Sequence, residues 1–262
     1  MSSPACLIIG IDNHVGAYLA RLLDARGVAL AGVGEPGLVT RLGIADAITP
    51  VAAADTAAAA AQARLVFAIS DGSAAHADRL AAGIDAAKAT TRLIHVADVV
   101  DLKLAPVRDT LARITAAKAR GEAANVLLEA HDSRFGTRAT LPAQIIAVAH
   151  AGDPAVREIA EPGPRDWGWT PEYVDAVQRL ATRERLVDMV VASGHTLTAA
   201  EMADAAFAYF RRNIADHIRI AGSGTPAAPI AIAATKAATG WTASTWGRDL
   251  IKALCEGAGE KR

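Results

Sequence analysis

The chain has 262 residues, 52% of them hydrophobic but only 4% aromatic, and 27 basic against 28 acidic side chains give a net charge of -1. So apolar and so nearly neutral a chain is not a disordered one. It also has no uninterrupted apolar run long enough for a membrane span and no basic excess suited to nucleic acid. Alanine alone supplies 63 residues, which predicts a thin core with closely packed backbones, in one large domain or a large one with a small appendage.

In chain order, Ala5 to Ile9 is an apolar run ending at Gly10, as a buried parallel strand requires. Tyr18, Leu19, Leu22 and Leu23 then recur at helical spacing up to Gly27, and Val28 to Val33 is a second apolar run. The alternation continues with strands at Ile48–Ala52, Leu65–Ile69, Leu93–Val96 and Val126–Leu128, and helices at 56–62, 74–88 and 107–120. Strand and helix alternating in this way predict an α/β fold, a Rossmann-like doubly wound parallel sheet. Beyond residue 150 the pattern loosens around Pro154, Pro162, Pro164 and Pro171. Helices at 171–181 and 199–212, a strand at 188–191, a connector at 222–228 and a last helix at 244–254 follow. The expected division is a dinucleotide-binding-type domain over 1–132 and a mixed segment, 133–262, that builds a smaller substrate-type domain and returns to the core.

Cys6 and Cys255 stand near opposite ends with no zinc-like spacing, so no metal site is expected, and a disulfide between them is not favoured. The start, Met1-Ser2-Ser3-Pro4, has no basic stretch of the kind that opens a secretory signal, and a cytoplasmic location is the default reading.

The first loop, Gly10-Ile11-Asp12-Asn13-His14-Val15-Gly16, has the spacing of a dinucleotide fingerprint with its middle glycine replaced. The outer glycines serve a tight turn and close helix packing, and the middle one lets backbone approach a pyrophosphate. Asparagine tolerates positive φ, so the turn can survive. Its side chain would crowd the phosphates, however, and Asp12 adds negative charge where an anion should sit. Glu35 lies about 20 residues beyond the loop, where an acid binds the ribose hydroxyls of NAD. With no arginine beside it, NAD fits better than NADP. A plain strand-to-helix turn and a solvated glutamate are the competing readings.

Arg165-Asp166-Trp167-Gly168-Trp169-Thr170-Pro171-Glu172-Tyr173 resembles the RDWG segment of the GDP-mannose 4,6-dehydratases. These are extended short-chain dehydrogenase/reductases of the NAD-dependent epimerase/dehydratase family, found in pathways such as bacterial polysaccharide biosynthesis. Gly10 to Gly27, His131-Asp132-Ser133, Val191 to Thr196 and Thr235 to Trp241 resemble further segments of that family in the same order. Members of the family are longer than this chain. The resemblance implies a nicotinamide cofactor, NAD or NADP, and a nucleotide-sugar ligand, with Gly10, Asn13, Gly16 and Glu35 on the cofactor and Arg165 and His131 toward the sugar nucleotide. It also implies that helices 74–88 and 107–120 pair across a two-fold axis, in a homodimer or with a related enzyme.

The reaction of that family needs a tyrosine with a lysine four residues on, a Ser/Thr, and a glutamate base. Val107 and Leu111 occupy the tyrosine and lysine places. The stretch His95 to Asp101 supplies neither the Ser/Thr nor the glutamate, and none of Tyr18, Tyr173 and Tyr209 has a lysine four residues later. Asp98, Asp101 and Lys103, at a strand's carboxyl end, are the remaining catalytic candidates, or simply a wet loop. Arg165 reads equally as a nucleotide contact and as an ion-pair partner of Asp166. Trp167 and Trp169 read as anchors at a domain junction, His195 as the maker of a loop hydrogen bond, and Arg211-Arg212 and Lys261-Arg262 as solvated ends. Two functions follow. One is a non-catalytic nucleotide-binding or partner subunit; the other is an active NAD(P)-dependent nucleotide-sugar dehydratase, epimerase or reductase with a non-standard site.

Overall fold

Each apolar run of the first 128 residues becomes a parallel strand. The computed structural model describes residues 5–136, 139–153, 155–222, 224–225 and 230–258. Met1 to Pro4, Pro154, residues 223 and 226–228 of the connector, and Lys261-Arg262 lie outside the described residues. The chain runs β1 (Cys6–Ile9), α1 (His14–Asp24), β2 (Leu30–Val33), α2 (Gly37–Arg41), β3 (Ile48–Val51), α3 (Thr56–Ala60), β4 (Leu65–Ile69), α4 (Ala74–Ala86), β5 (Arg92–Asp98), α5 (Ala105–Ala117) and β6 (Ala123–Leu128). It continues with β7 (His131–Asp132), α6 (Leu141–Ala151), β8 (Arg157–Ala160), β9 (Arg165–Asp166), β10 (Gly168–Trp169), α7 (Thr170–Ala181) and β11 (Met189–Val191). The last elements are β12 (Thr196–Leu197), α8 (Ala199–Tyr209), β13 (Ile218–Ala221), α9 (Ala233–Thr239) and α10 (Gly247–Ala258).

Two compact units result. The first comprises 1–128, 173–191 and 233–241 and holds a seven-stranded sheet in the order β11-β6-β5-β4-β1-β2-β3. Every pairing in that sheet is parallel. β1 and β2 are buried along their whole length, so both faces are covered and the sequence needs no polar alternation. The alanine and glycine content works as expected. Gly83 of α4 packs so near Ile9 that a Cβ there would strike its side chain, and Ala60 of α3 is fully buried close by. Cys6 is buried and unpaired, and burial pushes its thiol up to about 12.

The second unit comprises 129–172, 192–232 and 242–262. Its core is three helices: Ile145 and Val148 of α6, Met202 and Phe207 of α8, and Leu250, Ile251 and Leu254 of α10. Trp167 and Trp169 pack against this same core. Three short pairs, β10 with β7, β12 with β9 and β13 with β8, brace the loops. Local chemistry sets the helix ends. α6 starts on the Thr140 hydroxyl and stops at Gly152, φ +65°, and α8 starts on a capping box of Thr198 and Glu201. Cys255 is also free and buried.

Candidate functional site

In an open parallel sheet a ligand crevice forms at the carboxyl edge where strand order reverses, which here is between β1 and β4. The glycine loop sits at that edge. Gly10 has φ +103°, and a Cβ on it would lie 2.9 Å from the Ile69 carbonyl oxygen. Gly16 packs directly on the Gly10 carbonyl, leaving no room for a side chain. The outer glycines therefore make the turn and the close helix approach. Asn13 departs from expectation. Its φ is -83°, so no positive φ is needed; its Oδ1 instead caps α1 by accepting from the Val15 amide at 2.8 Å. Its Nδ2 points to the Ser70 carbonyl at 3.5 Å. Beyond β2, Gly34 has φ +136° and rests against the Asp12 carboxylate, and Glu35 beside it is exposed.

Asp98 closes β5. Asp101 is buried, with its Oδ2 close to Gly72 in the turn before α4. Lys103 is exposed, and its ammonium makes no ion pair among the described residues. At the first turn of α5, Val107 is buried at 1% exposure, and Leu111 follows one turn on.

Beneath that helix lies a buried polar chain that sequence spacing does not reveal. Ser70 Oγ is 2.7 Å from His95 Nε2, and His95 Nδ1 is 2.9 Å from Asn125 Oδ1. Asn125 Nδ2 approaches the Leu111 carbonyl and Thr115 Oγ1, each at 3.4 Å. That orientation fixes the tautomer: His95 donates from Nδ1 to Asn125 and accepts the Ser70 hydroxyl proton at Nε2. The wiring resembles a nucleophile relay, but its energetics do not. Burial pushes His95 down to about 4, against the pull of its Asn125 bond, and a neutral amide replaces the carboxylate that would stabilise an imidazolium. The chain ties α5 to β5 and β6; it does not take up protons near neutrality.

In the second unit, His131 is buried and its Nδ1 lies 2.8 Å from Thr170 Oγ1. Asp132 accepts from the Ser133 amide at 2.7 Å and from the Thr140 hydroxyl. Arg165 and Asp166 do not pair with each other. Successive strand residues face opposite ways, so Arg165 Nη1 donates to the carbonyls of Pro164 (3.0 Å) and Thr225 (2.9 Å). The buried Asp166 accepts from Ser193 N, Ser193 Oγ and Gly194 N, each at 2.8 Å. Glu172 accepts from Ser244 N (2.8 Å), Ser244 Oγ (2.5 Å), Thr245 N (3.1 Å) and Thr245 Oγ1 (2.5 Å). Burial pushes the Glu172 carboxyl up, but these bonds outweigh it and hold the group below its ordinary range. Just past these two anchored loops, the His195 and Trp246 rings stack at 3.8 Å with a 13° interplanar angle. The His195 ring therefore stacks, and it is the backbone of His195 that bonds Ser193 Oγ. Glu129 belongs to none of the motif segments. It is half-buried, and burial together with the charge of Asp166 raises its carboxyl above the usual range.

No protein-family model and no curated protein sequence matches the chain. Solved structures do. A UDP-glucose-4-epimerase from Stenotrophomonas maltophila, with bound NAD and formylated UDP-arabinopyranose, superposes with TM-score 0.76 at 15% identity over 97% of this chain and 98% of its own. TunA, an NAD-dependent NDP-hexosamine 5,6-dehydratase of tunicamycin biosynthesis, gives TM-score 0.73 at 13% identity over 99% of both chains. A dTDP-glucose 4,6-dehydratase from Bacillus anthracis, in complex with NAD, gives 0.73 at 10% identity over 96% and 95%. The fold is that of the nucleotide-sugar epimerases and dehydratases. Among the described residues no helix is long and apolar enough to cross a membrane, and no three His, Cys, Asp or Glu side chains are placed to hold a metal ion.

Proposed function

We propose that the chain is a nucleotide-sugar protein that binds a nicotinamide dinucleotide but does not run the Tyr/Lys-dependent dehydration, acting as a non-catalytic nucleotide-binding or partner subunit. The observation that carries this reading is Val107, buried at 1% exposure where the tyrosine would open α5, with Leu111 in place of the lysine. An apolar pair can neither hold a proton nor lower the pKa of one that does. The remaining tyrosines are committed elsewhere. Tyr173 is fully buried edge-on to Trp241 at 5.8 Å, Tyr18 is buried on α1, and Tyr209 ends α8.

The first unit's own residues fit the dinucleotide. Gly10 and Gly16 supply the tight turn and close packing, α1 points its N-terminus at the edge, and exposed Glu35 is free to accept hydrogen bonds from a ribose diol and to repel a 2′-phosphate. NAD is accordingly favoured over NADP. Asn13 opposes tight binding, because its carboxamide already takes one of the helix-terminal amides. A bound dinucleotide would supply hydride-transfer chemistry. Arg165 and His131 remain the proposed contacts of the sugar nucleotide, GDP-mannose being the form the sequence resemblance suggests.

The active alternative is favoured by one observation, the raised carboxyl of Glu129, which suits an acid–base group. Calorimetry with NADH and with GDP-mannose and UDP-glucose, followed by product analysis, separates the two. Binding without turnover is the expected outcome. Conversion of any of these sugars by the purified chain would overturn the non-catalytic reading, and failure to bind any cofactor or nucleotide sugar would overturn both.

A further inference from the structure

The segment most distinctive in the sequence, 165–172, anchors two loops far apart in the chain. Asp166 holds Ser193 and Gly194 through three hydrogen bonds, and Glu172 holds Ser244 and Thr245 through four. Each anchored loop leads straight into one ring of the His195–Trp246 stack. Gly194, with φ +79°, makes the bend that turns His195 outward. The two rings are fixed to each other yet not buried: Trp246 remains 44% exposed. They border a groove of about 410 Å³ whose lining includes Glu201, Asp204 and Arg248. That volume falls within the range of small-molecule sites. Asp204 and Arg248 are exposed and form no hydrogen bond or ion pair among the described residues, so an acceptor and a donor face the groove unspent.

We propose that this groove binds a neutral hexopyranose, free or at the end of a glycan. The indole face that His195 leaves uncovered presents the negative side of its quadrupole to the C–H face of a pyranose ring. A carboxylate and a guanidinium at the rim match the donor and acceptor capacities of neighbouring sugar hydroxyls. The lining side chains Glu201, Asp204 and Arg248 set two carboxylates against one guanidinium, a balance that favours a neutral ligand over a phosphate. Preorganisation by the two anchored loops lowers the entropy cost of presenting the platform. The site lies wholly within the second unit and requires no dinucleotide.

The test uses the ¹⁵N-labelled full chain, with the Trp246 indole N–H resonance assigned through Trp246→Phe. Methyl glycosides of mannose, glucose and galactose are titrated to about 100 mM, since single-sugar sites bind in the millimolar range. At least one glycoside is expected to shift that resonance saturably. Asp204→Asn should weaken the affinity about tenfold, and Trp246→Ala should abolish binding. Three results each overturn the proposal: no saturable shift with any of the three glycosides, unchanged affinity in Asp204→Asn, or tighter binding of guanosine monophosphate than of the sugars at the same resonance. Should Trp246→Ala lose its fold by circular dichroism, the exposed Asp204→Asn variant decides alone.

Discussion

In the first unit, the polar side chains of Asn13, Ser70, His95 and Asn125 are spent on the protein's own structure. Asn13 caps its own helix, and Ser70, His95 and Asn125 form a closed chain beneath α5. In the second unit, the buried Asp166 and the part-buried Glu172 bond loop backbones, while Asp204 and Arg248 stay unpaired on a groove. A triad-like spacing whose every member is satisfied from within supports architecture, because a spent donor or acceptor offers a ligand little. Anchored loops with unspent groups beside them are what recognition requires.

The sharpest test of this contrast is Asp166→Ala. Removing a buried carboxylate strands three donors, and a loss of about 4 kcal/mol is expected in urea denaturation, together with a Trp246 emission change as the stack loosens. A loss below about 1 kcal/mol would show that Asp166 does not hold the loop. His95→Leu comes next, at about 3 kcal/mol, because the Ser70 hydroxyl and the Asn125 carbonyl both lose a buried partner. The sign of the pH dependence sharpens the comparison. His95 is depressed from 6.5 to about 4, so the unfolded chain takes up a proton first and stability falls as pH drops through that window, by roughly 3 kcal/mol in all. His95→Leu should flatten that limb.

Glu172 is also depressed, so its contribution is present above the ordinary glutamate pKa and is lost as pH falls below it. Hydrogen exchange should therefore show β5 and β6 loosening at milder acidity than the loop before Trp246. Equal onset in the two regions would contradict the assignment. Glu172→Gln is expected to cost about 1.5 kcal/mol. The smallest stability effect belongs to Asn13→Gly, about 0.3 kcal/mol from the lost cap. The same change should tighten NADH binding about tenfold in a fluorescence titration; unchanged affinity would mean that the Asn13 carboxamide does not compete for the helix terminus.

Much of the first unit is legible because its central strands are buried on both faces and α1 stops at a glycine, Gly27. Leu65 to Ile69 and Val126 to Leu128 announce themselves as unbroken apolar runs. The second unit is harder. α6, Leu-Pro-Ala-Gln-Ile-Ile-Ala-Val-Ala-His-Ala, is apolar nearly all round and so carries little helical period. β8 and β13 bury few side chains and exist as strands only by pairing with each other across about 60 residues. The Ser70–His95–Asn125 chain follows from sheet register, in which His95 lies opposite Asn125, and no sequence spacing encodes that. Asp166 and its partners, Ser193 and Gly194, stand in two separate motif segments, and nothing in their spacing reveals that they bond.

The first unit is assembled from three stretches of chain, and β6 pairs with β11, Val126 opposite Met189. During synthesis the growing sheet therefore waits about 60 residues with the outer edge of β6 unpaired, open to another strand of the same chain or of a neighbour. Closing that edge draws in a long stretch of chain, which makes the step slow relative to the local βα units before it. A fragment ending near residue 128 keeps six of the sheet's seven strands and lacks the one that would cover the β6 edge.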